Sequence, residues 1–280
     1  MQKYKLLFFL LPMVIFLLAT NPVLASNPQK PDIEKLIKQV GIDQALQDVE
    51  NDFRLQLLKE RISRATNRFN EKEFKIFLGP LSAKEISDKV IERIAKELTS
   101  EQITQLNILF DKAVFKKLIN KEQELRNSSE LDIQQSILDS EQEVFSPNYL
   151  DLIEDIVDAS LIVQQKAFLT ATVLRERSKA PLEELGKFSE EEAQKLEYNI
   201  NAYKDRIYTS MRSEIVVLYA IKLKSFSLAE LQEILDILNN AHRTSLMYMV
   251  MDTLGLEISS RLNKSIKAVM QTRKTKGEGI

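Results

Sequence analysis

Apolar residues recur at three- and four-residue intervals from Asp32 almost to the end of the chain. That period is the signature of amphipathic helices. It predicts helices near 32–40, 43–69, 82–97, 100–126, 130–140, 147–178, 189–223, 227–251 and 256–271. Four starts carry a hydroxyl followed three residues later by Glu or Gln: Ser82 with Glu85, Thr99 with Gln102, Ser189 with Glu192, and Ser227 with Glu230. In such a capping box the hydroxyl accepts from the N3 amide and the longer side chain reaches back to the cap amide. Ser146-Pro147 is a fifth start, with the proline in the first turn, where its missing N–H costs nothing. Breaks are expected at Gly79-Pro80, Asn127-Ser128-Ser129, Ala180-Pro181 and Gly186. Phe74 to Leu78 has some strand character, but helix or loop is expected there. The fold class is therefore all-α, as tandem helical bundles over 26–140 and 147–273.

The first 25 residues follow a different grammar. Basic Lys3 and Lys5 precede an apolar run from Leu6 to Leu18 that Pro12 interrupts, and Val23-Leu24-Ala25-Ser26 follows. A basic start, a short apolar core and a small-x-small site form a secretory signal. The run is too short for a spanning helix, which needs roughly 20 residues. Cleavage between Ala25 and Ser26 is the expectation, with a periplasmic or secreted location. Residues 26–31 are expected to be flexible, and 274–280 disordered.

Composition narrows the function. Without Lys3 and Lys5 the chain holds 39 − 2 = 37 basic against 41 acidic residues, a net charge of −4. Mild, mixed acidity offers no field for a phosphate backbone, so nucleic acid is not an expected partner. Cys is absent, which excludes thiolate catalysis, cysteine-based zinc sites and lipidation at a mature cysteine. Only 6 Gly and 7 Pro in 280 residues agree with long helices.

A weak internal repeat runs through the helical pattern. Leu98 to Leu106 aligns with Phe226 to Ile234 at an offset of 226 − 98 = 128, and Leu109-Phe110, Ala113 and Leu118 fall on Ile237-Leu238, Ala241 and Leu246. Upstream, Lys35-Leu36-Ile37 aligns with Asp151-Leu152-Ile153 at 151 − 35 = 116. At these segments the chain resembles the bacterial domain of unknown function 2059 family, whose pattern runs Leu-Thr, an acid, then an apolar helix into Phe-Tyr-Arg-Ser-Pro-x-Gly-Lys-Lys-Leu. Leu98-Thr99, Leu109-Phe110 and Lys116-Lys117-Leu118 match, whereas Lys112-Ala113-Val114-Phe115 replaces the Ser-Pro-x-Gly centre. The second copy matches at Phe226-Ser227 and Glu230-Leu231 and departs at 238–242. The resemblance implies an exported helical protein and no assigned chemistry. Loss of the Pro-Gly turn implies that 100–126 and 227–251 run straight.

No motif for catalysis stands out. His242 is the only histidine, placed with Asn239, Asn240 and Arg243 on the polar side of its helix, and a Ser-His-Asp triad needs a nucleophile elbow that the chain lacks. Asp151, Glu154, Asp155 and Asp158 share one face, which suits a solvated acidic stripe better than a calcium site. Glu190-Glu191-Glu192 fits the first turn of a helix. No catalytic, cofactor-binding or metal-ligating residue and no cofactor is assigned. Leu246 to Met251 is apolar all round: a buried helix end, or an adaptable methionine surface. Tyr198, Tyr203, Tyr208 and Tyr219 lie on one long helix, Tyr203 in phase with the core. The expected function is a non-catalytic module that binds a protein or peptide in the envelope. Its candidate contacts are Met247, Tyr248, Met251, Tyr198 and Tyr208. A structural or oligomer-forming envelope protein is the first alternative and an enzyme of unrecognised class the second. Membrane contact is at most peripheral, and self-association stays open.

Overall fold

The computed structural model describes residues 30–42, 82–127 and 145–275, together with the isolated positions 47, 51, 76 and 135. The described residues are helical with no strand. In chain order the helices are α1 (Lys30–Val40), α2 (Ala83–Glu97), α3 (Ser100–Phe110), α4 (Ala113–Asn127), α5 (Pro147–Ser160), α6 (Ile162–Glu184), α7 (Glu190–Lys222), α8 (Leu228–Leu238) and α9 (Ala241–Thr275). The signal segment, most of 43–81 and most of 128–144 lie outside the described residues, and with them the helices expected at 43–69 and 130–140.

The helix starts follow the side-chain chemistry of the sequence. The hydroxyls of Ser82, Thr99, Ser146, Ser189 and Ser227 each accept from the amide three residues on. At Thr99 and Ser227 the reciprocal bond is also made, by Gln102 Oε1 at 2.9 Å and Glu230 Oε2 at 2.8 Å. Buried Leu98 and Phe226 precede these two caps, and Ile103 and Leu231, four residues inside each helix, are buried as well. An apolar residue on either side of a cap fixes the angle at which the chain enters the helix.

Several long segments break where straight helix was expected. The 100–126 segment stops at Asp111-Lys112, and the 227–251 segment at Asn239-Asn240. Asp111 is held by α1, receiving Lys35 Nζ at 3.1 Å and Gln39 Nε2 at 2.8 Å. Asn240 caps α9, its Oδ1 accepting from the His242 and Arg243 amides. The 147–178 segment breaks at Leu161, which turns left-handed with φ 65°. Conversely, α6 runs through the expected stop at Ala180-Pro181 to Glu184, and Gly186, φ 64°, follows its end. A proline within a turn of the C-terminus disturbs few helix bonds. Helix also continues through Gly255 and up to Thr275, past the gap expected at 252–255 and into the expected tail. A Cβ at Gly255 would lie 2.5 Å from Phe168 Cζ, so this glycine serves the close approach of α6 rather than a bend.

Helices α3–α4 and α8–α9 follow one local pattern. Caps, eleven-residue helices and two-residue breaks of α3–α4 and α8–α9 all differ by 227 − 99 = 128. Helix α1 packs on α3 as α5 packs on α8. Here the alignment needs correction by one turn. Ile33, Leu36 and Ile37 are fully buried in α1, as Ile153, Ile156 and Val157 are in α5, a separation of 153 − 33 = 120 rather than 116. Both helices end at a left-handed residue, Gly41 and Leu161, at the same separation. A shift of four residues nearly preserves apolar phase, so periodicity alone misses it.

Contacts between the halves are reciprocal: α3 touches α9, and α4 touches α8. Lys112–Glu233 and Lys117–Glu230 pair at 3.0 and 2.8 Å, and Arg93 reaches Asp252 at 3.0 Å. Among the described residues, one continuous apolar core extends from Ile33 to Met270.

Candidate functional site

The junction of the two halves leaves a cavity of about 80 Å³, partly open to solvent. Its wall is built from corresponding places in the two halves. Gly41 and Ile42 follow α1, and Ser160 and Ile162 flank the left-handed end of α5. Phe115 and Ile119 come from α4, and Arg243 and Met247 from the equivalent turns of α9. Where the first half offers a phenyl ring, packed 4.8 Å from Phe110, the second offers a guanidinium.

Arg243 is 4 % exposed. Its Nη1 donates to Ala159 O and Leu238 O, and its Nη2 to Ser160 O at 2.7 Å. These are the last carbonyls of α5 and α8. Helix C-termini carry partial negative charge and unpaired acceptors, so a cation between two of them is well placed. Nε has no partner. Burial lowers the guanidinium pKa to about 10, opposed by the charge of Glu122 and by Tyr219.

Glu122 lies on the wall with Arg243 but forms no ion pair with it. Tyr219 donates its hydroxyl to Glu122 Oε1 at 2.8 Å, and Lys222 Nζ stands 3.9 Å from the same atom. The Lys222 ammonium also sits 4.7 Å over the Tyr219 ring. Arg243 and Glu122 thus share a largely apolar wall, with Lys222 behind the carboxylate.

A second polar cluster joins α6 to α9. Glu176, 3 % exposed, accepts from Ser259 Oγ at 2.6 Å and Asn263 Nδ2 at 3.2 Å. Asn263 also reaches Glu183, which Lys267 and Lys179 flank. Ser259, Asn263 and Lys267 tie α9 to α6, whereas Lys179 pairs with Glu183 within α6.

The residues singled out from sequence are scattered. Met247 lines the cavity, and Met251 is 8 % exposed, so the methionine surface faces inward; Tyr248 alone of that stretch is well exposed. Tyr198 is 76 % exposed, while Tyr208 is half-buried with its hydroxyl 3.5 Å from Asp158. Tyr203, expected in the core, is exposed, and Tyr219 is buried instead. The acidic stripe is partly engaged: Arg212 grips both Asp158 oxygens at 2.8 Å and reaches Glu154 at 3.1 Å. Those hydrogen bonds, to Asp158 above all, hold Arg212 well above its ordinary pKa. Asp151 and Asp155 remain exposed, and His242 is half-exposed. Ala25 and Ser26 lie outside the described residues. Among the described residues, no three His, Cys, Asp or Glu side chains are grouped to hold a metal, and no helix is long and apolar enough to cross a membrane.

Arg243 was misplaced on a polar face. The signal for its burial is its phase, because Arg243, Leu246, Met247, Val250 and Leu254 follow one i, i+3, i+4, i+7, i+11 stripe. The chain matches no family model, no curated protein and no solved structure.

Proposed function

We propose that this chain is an exported, non-catalytic helical protein that binds a protein or peptide partner through exposed aromatic positions on α7 and α9. The observation that carries this reading is how Tyr198 is presented. Its neighbour Glu197, itself at the surface, is turned toward α6 by Arg175, which donates Nε and Nη2 to the two carboxylate oxygens at 2.6 and 2.8 Å. A step of one residue turns a helix side chain about 100°, so Tyr198 is held outward. Tyr248 is presented in the same way, between buried Met247 and Met249. A rigid ring with a polar tip suits an interface, at low entropic cost to the surface that displays it. Buried Glu176 and Arg243 bond across helices, and buried Thr172, Thr253 and Ser265 bond to carbonyls of their own helix, uses that support a structural rather than a catalytic role. Export rests on residues 1–26, and kinship with the family named above on the two repeated segments.

Photocrosslinking residues placed at 198 and 248 in living cells test the reading, with exposed position 236 as control. A discrete partner at 198 or 248, absent at 236, is the expected result. Crosslinks only to a second copy of the chain would replace partner binding by self-assembly, and identical patterns at all three positions would overturn it.

A further inference from the structure

We propose that the end of the molecule where α6 and α9 terminate docks on an anionic bilayer surface. From Ile258 to Thr275 the chain carries Arg261, Lys264, Lys267, Arg273 and Lys274 and no acid, although the two signs nearly balance over the whole sequence. Lys264, Lys267, Gln271 and Lys274 are spaced i, i+3, i+7 and i+10, which puts them on one face of α9. That face lies opposite the core, which takes Leu262, Ile266, Val269 and Met270. Lys264, Gln271 and Lys274 are exposed, and Lys267 is half-buried.

A second element reaches the same end. Helices α6 and α9 run parallel, because Glu176 meets Ser259 and Asn263 while Glu183 meets Lys267. The turn after α6 therefore lies beside the last two turns of α9. There Leu185 is 40 % exposed, Gly186 turns left-handed, and exposed Lys187 follows. An apolar tip flanked by lysines matches a lipid surface, which is anionic at its headgroups and hydrocarbon beneath. Two acids share this end, Glu183 and Glu184. Glu183 stands between Lys179 and Lys267, at 3.4 and 3.1 Å. Against these two, Lys179, Lys187, Lys264, Lys267 and Lys274 leave a surplus of 5 − 2 = 3 positive charges. Glu190, Glu191 and Glu192 open α7, which packs on α6 and α5 rather than on α9, so α6 separates them from the stripe.

The test is co-sedimentation of the full chain with vesicles of phosphatidylcholine alone, and of phosphatidylcholine and phosphatidylglycerol in equal parts, at low and high salt. The apolar N-terminal run is common to every variant, so differences between variants report on this surface. The parent should prefer the anionic vesicles, and salt should weaken that preference. Replacing Lys187, Lys264 and Lys274 together by Gln should lower anionic-vesicle binding more than about tenfold, because each lysine near such a surface is worth about fivefold. The same charge change at exposed Lys38, Lys96 and Lys166 should leave binding nearly unchanged. Leu185→Ser should weaken binding several-fold and keep its salt dependence. Absence of a preference for anionic vesicles overturns the proposal, as does unchanged binding in the first triple variant or equal loss in both triples. Unchanged binding in Leu185→Ser replaces the bilayer by an acidic protein surface. If the serine variant does not fold, the two lysine triples decide.

Discussion

Replacing Arg243 by Met is the sharpest test of how the two breaks at Leu161 and Asn239-Asn240 are held. Methionine keeps most of the side-chain length and volume but removes all five donors. Three terminal carbonyls then lose their partner, those of Ala159, Ser160 and Leu238. Each lost bond in a part-buried place costs about 1 kcal/mol net. Two helix C-termini also lose a cation, for about 0.5 kcal/mol each at this depth. Against this, the variant no longer buries a charge, a relief of about 1–2 kcal/mol on the scale seen when buried ions give way to apolar side chains. The balance is a loss of about 2–3 kcal/mol. Urea unfolding followed by circular dichroism measures it, with an unchanged slope required for the comparison. Arg243→Lys should fall between, since one ammonium cannot serve two helix ends with the same planar fork. A Met variant within about 0.5 kcal/mol of the parent, the range of an ordinary surface change, would refute the reasoning. It would mean that water in the cavity serves the carbonyls equally well.

Gly255→Ala should destabilise by about 1–3 kcal/mol, because the new methyl meets the Phe168 ring on a tightly packed helix face; pairing it with Phe168→Leu in a double-mutant cycle should recover most of the loss, and additive costs would show that the ring is not the obstacle. Glu230 is held at a pKa of about 2, first by Lys117 and then by the Ser227 amide and hydroxyl. Its folded pKa is depressed, so its contribution to stability is present above the ordinary carboxyl range near pH 4.5 and is lost as pH falls toward 2. Unfolding midpoints between pH 5 and 2 should therefore fall less steeply in Glu230→Gln than in the parent, and parallel curves would refute this.

Helix class and helix starts were legible because both depend on neighbours within four residues. The hydroxyls at 82, 99, 146, 189 and 227 cap where the pattern placed them. The breaks inside 100–126, 147–178 and 227–251 were harder to read. Asp111 breaks its segment with side chains from α1, some 76 positions away at Lys35. Leu161 adopts a left-handed turn that local propensity disfavours for a leucine. Pro181 misled in the opposite direction, since a place near a helix end removed its usual meaning. The cavity was invisible for a related reason. Its residues come from seven helices and the turn after α1, and only the phase of Arg243 hinted that a charge lay inside.

Helix α9 packs against α2 as well as α6. At 1.5 Å per residue its 35 residues form a rod of about 50 Å. Until that rod is present, Arg93 waits for Asp252 across more than half of the chain. Closure over such separations is slow, because loop entropy is lost before contacts repay it. The flank of α2 that meets α9 is therefore the part of the N-terminal half that closes late.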